Sequence, residues 1–306
     1  MNKKLLLLIF GILLIMVIIF TMRGGFSNET ISNKLQITAS FYPMYFFASQ
    51  IGGDKANVMN ITPAAAEPHD YELTTQDVVK IDQSKMLILN GGKLEPWGDK
   101  IRDELQSSNV LIVTAGGGLA NKQLNENGQI IQDPHIWLNP ILAKKEVVNI
   151  ELGFEKIDPV NKAYYQANAS KLEVELNQLN SEYTDGLKNC QKKDFVTSHA
   201  AFGYLAAQYG INQVAISGVS PDEEPSSQKL AEIADLVKKE DIKIIFFESL
   251  VSPKLSQTIG QETGATAKVL DPIEGLTQAD LNKGRNYLTV MKDNLSALEA
   301  ALQCNQ

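Results

Sequence analysis

From Asp158 to about Lys188 the sequence carries one continuous helical pattern, and that stretch limits the architectures open to the whole chain. Asp158 suits the N-cap and Pro159 the first helical position, where a missing N–H costs nothing. Tyr165, Leu172, Leu176, Leu179, Tyr183 and Leu187 then step by three, four or seven residues, placing an apolar stripe on one face. Such a helix runs about 45 Å at roughly 1.5 Å per residue, long enough to brace two lobes as a stiff strut. A break near Asn177 to Asn180 would give two shorter helices instead.

Short β-rich runs flank this stretch on both sides. Before it come LQITA (35–39), NVMNI (57–61), KMLIL (85–89) and VLIV (110–113); after it come FVTS (195–198), QVAIS (213–217), KIIFF (243–247) and AKVL (267–270). Helical spacing fills gaps at Tyr42 to Ile51, Thr75 to Gln83 and Pro96 to Gln106, then at Phe202 to Tyr209, Ser226 to Lys239 and Lys254 to Thr263. Strands alternating with helices read as parallel sheets covered by helices. The expected fold is therefore α/β: two lobes with parallel sheets flanked by helices, joined by one long rigid linking helix. The 306 residues suffice for both. The expected divisions are residues 1–26 as a signal anchor or signal peptide, 27–157 as the N-terminal lobe, 158–189 as the linking helix and 190–306 as the C-terminal lobe.

Lys3 and Lys4 precede an almost uninterrupted apolar run from Leu5 to Met22, about one bilayer's worth of helix. The flanking charges favour a cytoplasmic N-terminus, with everything after about Phe26 outside the membrane. The TMRGGFSNET stretch shows no clear small-residue cleavage site, which favours an uncleaved anchor over a cleaved signal. Cys190 and Cys304 are the only cysteines, a disulfide candidate in an exported chain, with two isolated buried thiols as the alternative. The net charge of -8, without a long basic run, offers nothing to nucleic acid and is compatible with a cationic ligand.

Only three histidines occur, and each follows a strand. His69 lies in TPAAAEPHDYEL after NVMNI, His135 in QDPHIWLNP after VLIV, and His199 directly after FVTS. Asp271 follows AKVL in the same way, within LDPIEG. Ligands of open α/β sheets bind outside the carboxyl ends of the strands. Two of these residues precede the linking helix and two follow it, so a site between the lobes would draw on both. Three imidazoles and a carboxylate suit zinc in tetrahedral coordination, with manganese or ferrous iron as alternatives and calcium and magnesium poorly matched.

Around them, Glu67 is either an extra oxygen donor or a solvated loop carboxylate. Glu248, ending KIIFFE, either orients an imidazole or serves as a helix cap or in a surface ion pair. Asp70 and Asp133 flank histidines and could accept a ring N–H. Trp97 and Trp137 read as core or inter-lobe packing, and GGG at 116–118 as a flexible turn, since no phosphate-loop lysine follows.

The words FYPMYFFASQIGG, AAEPHDYELT, DPHIWLNP, TSHAAFGYLA, SGVSPDEEPS and LDPIEGL resemble the cluster A-I metal-binding solute-binding proteins of zinc and manganese ABC importers, from about Leu35 to the C-terminus. The resemblance implies two α/β lobes on a rigid helix with the metal between them, and ligands at His69, His135, His199 and Asp271. Histidine at the third position goes with zinc in that family and glutamate with manganese. It further implies a monomer without enzymatic activity that carries zinc to an ABC transporter membrane permease. Two departures stand out: Ala115 to Gln132 lacks the histidine-rich loop of many zinc members, and the lipid-anchoring cysteine is absent, leaving the N-terminal apolar segment as the tether to the membrane. Rival readings are a secreted zinc hydrolase using Glu67 or Glu248 as base, which lacks HExxH, and an adhesion or scaffold protein with a structural zinc.

Overall fold

β1 (Leu35–Ala39), β2 (Ala56–Asn60), β3 (Met86–Leu89) and β4 (Leu111–Thr114) form a parallel sheet in the order β2-β1-β3-β4. A hairpin, β5 (Gln123–Glu126) and β6 (Gln129–Gln132), follows. β7 (Asp194–Thr197), β8 (Asn212–Ala215), β9 (Ile244–Phe247) and β10 (Thr266–Val269) form a second parallel sheet in the order β10-β9-β7-β8. Counted from its own first strand, each sheet has the order 2-1-3-4. The lobes thus repeat a topology without repeating a sequence. These features come from a computed structural model that describes residues 34–126 and 129–305. The apolar N-terminal segment lies outside the described residues, among which no helix is long and apolar enough to cross a membrane.

In the first lobe α1 (Tyr42–Gly52), α2 (Thr75–Asp82) and α3 (Gly98–Glu104) connect the strands, and α4 (Pro140–Ile157) leads to the linking helix α5 (Lys162–Leu187). α6 (Gly203–Tyr209), α7 (Ser227–Lys239), α8 (Lys254–Thr263), α9 (Gln278–Asn282) and α10 (Tyr287–Leu302) belong to the second half.

α5 is continuous through Asn177 to Asn180. Its stripe is buried as the periodicity requires: Tyr165, Leu172, Leu176, Leu179, Tyr183 and Leu187 all sit inside. The start differs from expectation. Pro159–Asn161 forms a 3-10 turn, and the Asp158 side chain caps no backbone N–H but accepts from the Tyr165 hydroxyl at 2.7 Å and from Asn161 Nδ2 at 2.7 Å. A carboxylate within reach of a phenol seven residues on has a better partner than the free amides.

α5 packs against α1, α4 and α10, and the contact extends one hydrophobic cluster from Phe41, Phe47 and Phe154 in the first lobe to Phe195, Phe202 and Phe246 in the second. Tyr183 donates its hydroxyl to the Met291 carbonyl on α10 at 2.7 Å, and Asn168 donates to the Ile51 carbonyl on α1 at 3.0 Å. Smaller clusters cover the outer faces of the two sheets, one around Ile233, Val237 and Ile245, the other around Ile81, Leu87 and Trp97.

The hairpin, α4 and α10 have no counterpart in the sequence reading, although two of them carry clear start signals. Asn139 caps α4, accepting from the Ile141 N–H at 2.9 Å with Pro140 behind it, and Asn286 closes a reciprocal box with Thr289 at the start of α10. Both also carry the helical period of an amphipathic face, with Ala143, Val147, Ile150 and Phe154 buried in α4 and Val290, Met291, Leu295, Leu298 and Leu302 in α10.

Cys190, just past α5, is bonded to Cys304, just past α10. The bridge fixes the end of the linking helix to the end of the chain across 114 residues, a long loop whose closure would restrict the unfolded state. Cys190→Ser with Cys304→Ser should lower stability by about 2–5 kcal/mol, read as a reduced thermal midpoint. Leu176→Ala, inside the shared core, should cost about 2–5 kcal/mol in urea unfolding.

Candidate metal centre

The carboxyl ends of both sheets face one cleft, and the four loops that leave them there build the centre. His69 comes from the loop after β2, His135 from the Asp133-Pro134-His135 segment between the hairpin and α4, and His199 from the turn two residues beyond β7. Nε2 of His135 lies 3.2 Å from Nε2 of His69 and 3.2 Å from Nε2 of His199.

The fourth atom is Oε1 of Glu274, at 3.1 Å from His135 Nε2 and 3.4 Å from Nε2 of both His69 and His199. These separations match the edge of a tetrahedron whose ligands stand about 2.0–2.1 Å from a central zinc, an edge of about 3.3 Å.

Asp271, the fourth ligand expected from the sequence, is not in this group. One oxygen accepts the Ser249 hydroxyl and Oδ1 accepts the Ile273 N–H at 2.7 Å, while its backbone is held at both polar atoms by the Asn294 amide. Burial first, with nearby Glu274 and Glu248 acting in the same direction, pushes its carboxyl up to about 6 against these hydrogen bonds. Asp271 shapes the loop: its turn carries Ile273 at a φ of 60°, an uncommon conformation for a β-branched residue, and the reversal presents Glu274 to the histidines. Asp271 is the carboxylate nearest the strand end, which is why the strand-end rule points to it. The signal for Glu274 lay three residues further on, in the same LDPIEG word.

Carboxylates behind two rings decide which nitrogen faces inward. Asp133 Oδ1 lies 2.9 Å from His135 Nδ1 and also accepts the His135 backbone N–H at 3.0 Å. Glu248 Oε1 lies 2.7 Å from His199 Nδ1 and accepts the His199 backbone N–H at 3.2 Å. An anionic acceptor keeps the ring proton on Nδ1, where it is donated to the carboxylate, and leaves the Nε2 lone pair for the centre. Asp133 and Glu248 thus each accept a ring N–H, one of the roles their positions in the sequence allow.

The other flanking acids behave differently. Asp70 turns to Asp222, whose hydrogen bond, with burial, pushes its carboxyl up to about 6. Glu67 accepts weakly from the His69 backbone N–H at 3.4 Å and keeps Oε2 buried without a partner among the described residues. Burial, then the Glu274 charge, pushes it up to about 9.

Two further contacts seat the loops. Trp137 donates its indole N–H to the Pro272 carbonyl at 2.8 Å, tying the Glu274 loop to the first lobe. Gly116 is more than a flexible turn, because a Cβ there would lie 2.2 Å from Ile136 Cδ1 and 2.7 Å from the Asn90 carbonyl. The missing side chain of Gly116 lets β4's exit pass directly against Ile136, the neighbour of His135.

Burial alone would lower the basicity of all three imidazoles, and for His69 it prevails. At His135 the hydrogen bonds it donates to Asp133 and Glu274 outweigh burial and raise it; at His199 the charges of Glu248 and Glu274 raise it well above the usual range. Glu274, for which burial would favour the neutral acid, is held ionised by the positive charge of His199 and by its histidine hydrogen bonds. Three N–H groups cannot point at one another over 3.2 Å. The arrangement suits one shared cation.

This geometry defines the class: a two-lobed α/β solute-binding protein with a three-histidine, one-glutamate centre between its lobes. Residues 37–301 match the family described as "Zinc-uptake complex component A periplasmic", and the chain belongs to that family. It is 37% identical over 287 residues to the high-affinity zinc uptake system protein ZnuA of Bacillus subtilis, covering 90% of each chain. It is 38% identical to the zinc-binding lipoprotein AdcA of Streptococcus pneumoniae, covering 89% of this chain but 57% of that longer relative. The structure of the Zn(II)-bound ZnuA-like domain of S. pneumoniae AdcA superposes with a TM-score of 0.77 at 40% identity, over 88% of this chain and 99% of that one. The resemblance read in the sequence and its two-lobed fold on a long helix are thereby established.

If the two carboxylates divide their roles as the geometry indicates, Glu274→Ala should weaken zinc binding more than Asp271→Asn. Competition titration should show a loss beyond about 100-fold for the first and on the order of 10-fold for the second.

Proposed function

We propose that His69, His135, His199 and Glu274 hold a zinc ion as cargo, and that the protein captures it outside the cytoplasm for the membrane permease of an ABC-type importer. The observation that carries the reading is the convergence of three imidazole Nε2 atoms and one carboxylate oxygen from both lobes at tetrahedral spacing. Its donor set favours zinc over manganese, which ranks lower in affinity and prefers more oxygen. The names of its relatives point the same way.

Four protein ligands leave no open coordination position for a reactive water, so the centre serves capture rather than hydrolysis. Release then requires the lobes to part, which the shared core resists and a permease engaging both lobes would drive. The protein acts as a monomer, and the apolar run Leu5 to Met22 tethers it to the membrane.

Two measurements test this. One equivalent of zinc should bind in competition with excess manganese, and His199→Ala should abolish tight binding; a preference for manganese, or unchanged binding in the variant, would overturn the assignment. The acid dependence follows from the raised basicity of His135 and His199. In the metal-free protein these rings keep protons above their ordinary titration near about 6.5, and zinc must displace them. Affinity should therefore fall as pH drops, beginning above the usual histidine range, and zinc binding at pH near 7 should release about one proton or more. Calorimetry in buffers of different ionisation enthalpy reads that number. Zero release would sink the proposed ligand protonation.

A further inference from the structure

Asp133, which orients His135, is itself gripped from the opposite lobe. Its Oδ1 serves His135, but its Oδ2 is buried and has no hydrogen-bond partner among the described residues. Facing Oδ2 is Gly203, the first residue of α6: a Cβ built there would lie 2.8 Å from Oδ2 and 2.9 Å from Lys122 Cε. Only the missing side chain allows this approach.

The next residue completes the grip. The Tyr204 hydroxyl donates to the Asp133 carbonyl at 3.2 Å and accepts the Lys122 N–H at 2.9 Å. Lys122 Nζ donates to the Gly203 carbonyl at 3.1 Å, and the Asp133 N–H donates to the Lys122 carbonyl at 3.0 Å. Asn139, the cap of α4 just beyond His135, donates to the Tyr204 carbonyl at 3.3 Å. Every one of these bonds except that between Asp133 and Lys122 crosses from one half of the chain to the other.

We infer that Gly203 and Tyr204 are positioning residues that make the orientation of His135 conditional on lobe closure. With the lobes together, the Asp133 carboxylate is confined and the His135 Nε2 lone pair is aimed at the metal. When the lobes separate, Tyr204 withdraws, the Asp133-Lys122 segment loses its cross-lobe hydrogen bonds, and the Lys122 ammonium is freed from the Gly203 carbonyl. Asp133 can then swing its Oδ2 toward that ammonium and away from His135 Nδ1. Opening thus loosens a ligand of the first lobe, besides drawing the second lobe's ligands away from it.

This inference rests on the proposed zinc carriage, and a double-mutant cycle separates the two. The rate of zinc loss to an excess of chelator would be measured by stopped flow for the full chain, Gly203→Ala, Tyr204→Phe, Asp133→Ala, and each of the first two combined with Asp133→Ala. Gly203→Ala and Tyr204→Phe should each speed zinc loss by about tenfold, the order found when an outer hydrogen bond to a metal ligand is lost. In the Asp133→Ala background the same changes should alter the rate by less than about twofold, because interacting residues are non-additive. Tyr204→Phe preserves the ring and covers the case in which Gly203→Ala fails to fold. Equal acceleration with and without Asp133, or none in the parent chain, would overturn the inference while leaving zinc carriage intact. A parent chain that held no zinc would overturn both.

Discussion

One hydrophobic core serves both lobes, and the rest of the molecule follows from that sharing. The inward stripe of the linking helix, from Tyr165 to Leu187, is buried against helices of both halves, so the lobes cannot rotate apart as independent bodies without exposing apolar surface. Interiors packed this way deform little. At the other end of the cleft, four candidate ligand atoms, two from each lobe, are held at near-equal spacing.

The two lobes reach that common result by different local means. In the first, Asp133 lies two residues before His135 and holds both its ring and its backbone, a compact arrangement that a single turn can supply. In the second, His199 follows β7 and is held by Glu248, which follows the adjacent strand β9, so the pairing of two strands sets the ring's angle. β7 and β9 flank the point where the strand order reverses, the usual place for a ligand in an open parallel sheet. Its equivalent in the first lobe, between β1 and β3, holds a buried network instead: Glu95 accepts from Ser40 and from the amides of Asn90 and Gly91, and Asn90 donates to the Pro134 carbonyl beside His135.

Much of this was legible in the sequence because it rests on patterns that one dimension records. Strand runs, the long helix and three scarce histidines placed after strands all carry over directly, and the spacing of Leu172, Leu176 and Leu179 foretold which face would be covered. Glu274 was not legible by the same reasoning. The strand-end rule selects Asp271, whose side chain is spent on Ser249 and on the Ile273 amide, and the reversal at Ile273 depends on a backbone conformation that residue type argues against. The beginning of α5 shows a similar limit, since Asp158 has the chemistry of a cap but meets Tyr165 first. The grip of Gly203 on Asp133 involves residues 70 positions apart in the chain and is recorded nowhere but in three dimensions.

The unequal burial of the ligands has a kinetic meaning. His135 and His199 are sealed from solvent and Glu274 nearly so, whereas the side chain of His69 retains 7% exposure beside a cleft of about 580 Å³ lined also by Asp70, Lys93, Pro134 and Ser220. An incoming molecule can therefore approach the centre from the His69 side. An ion released by parting of the lobes would leave with a rate law that does not contain the concentration of whatever scavenger waits outside, whereas attack through the opening beside His69 would make the rate rise with it.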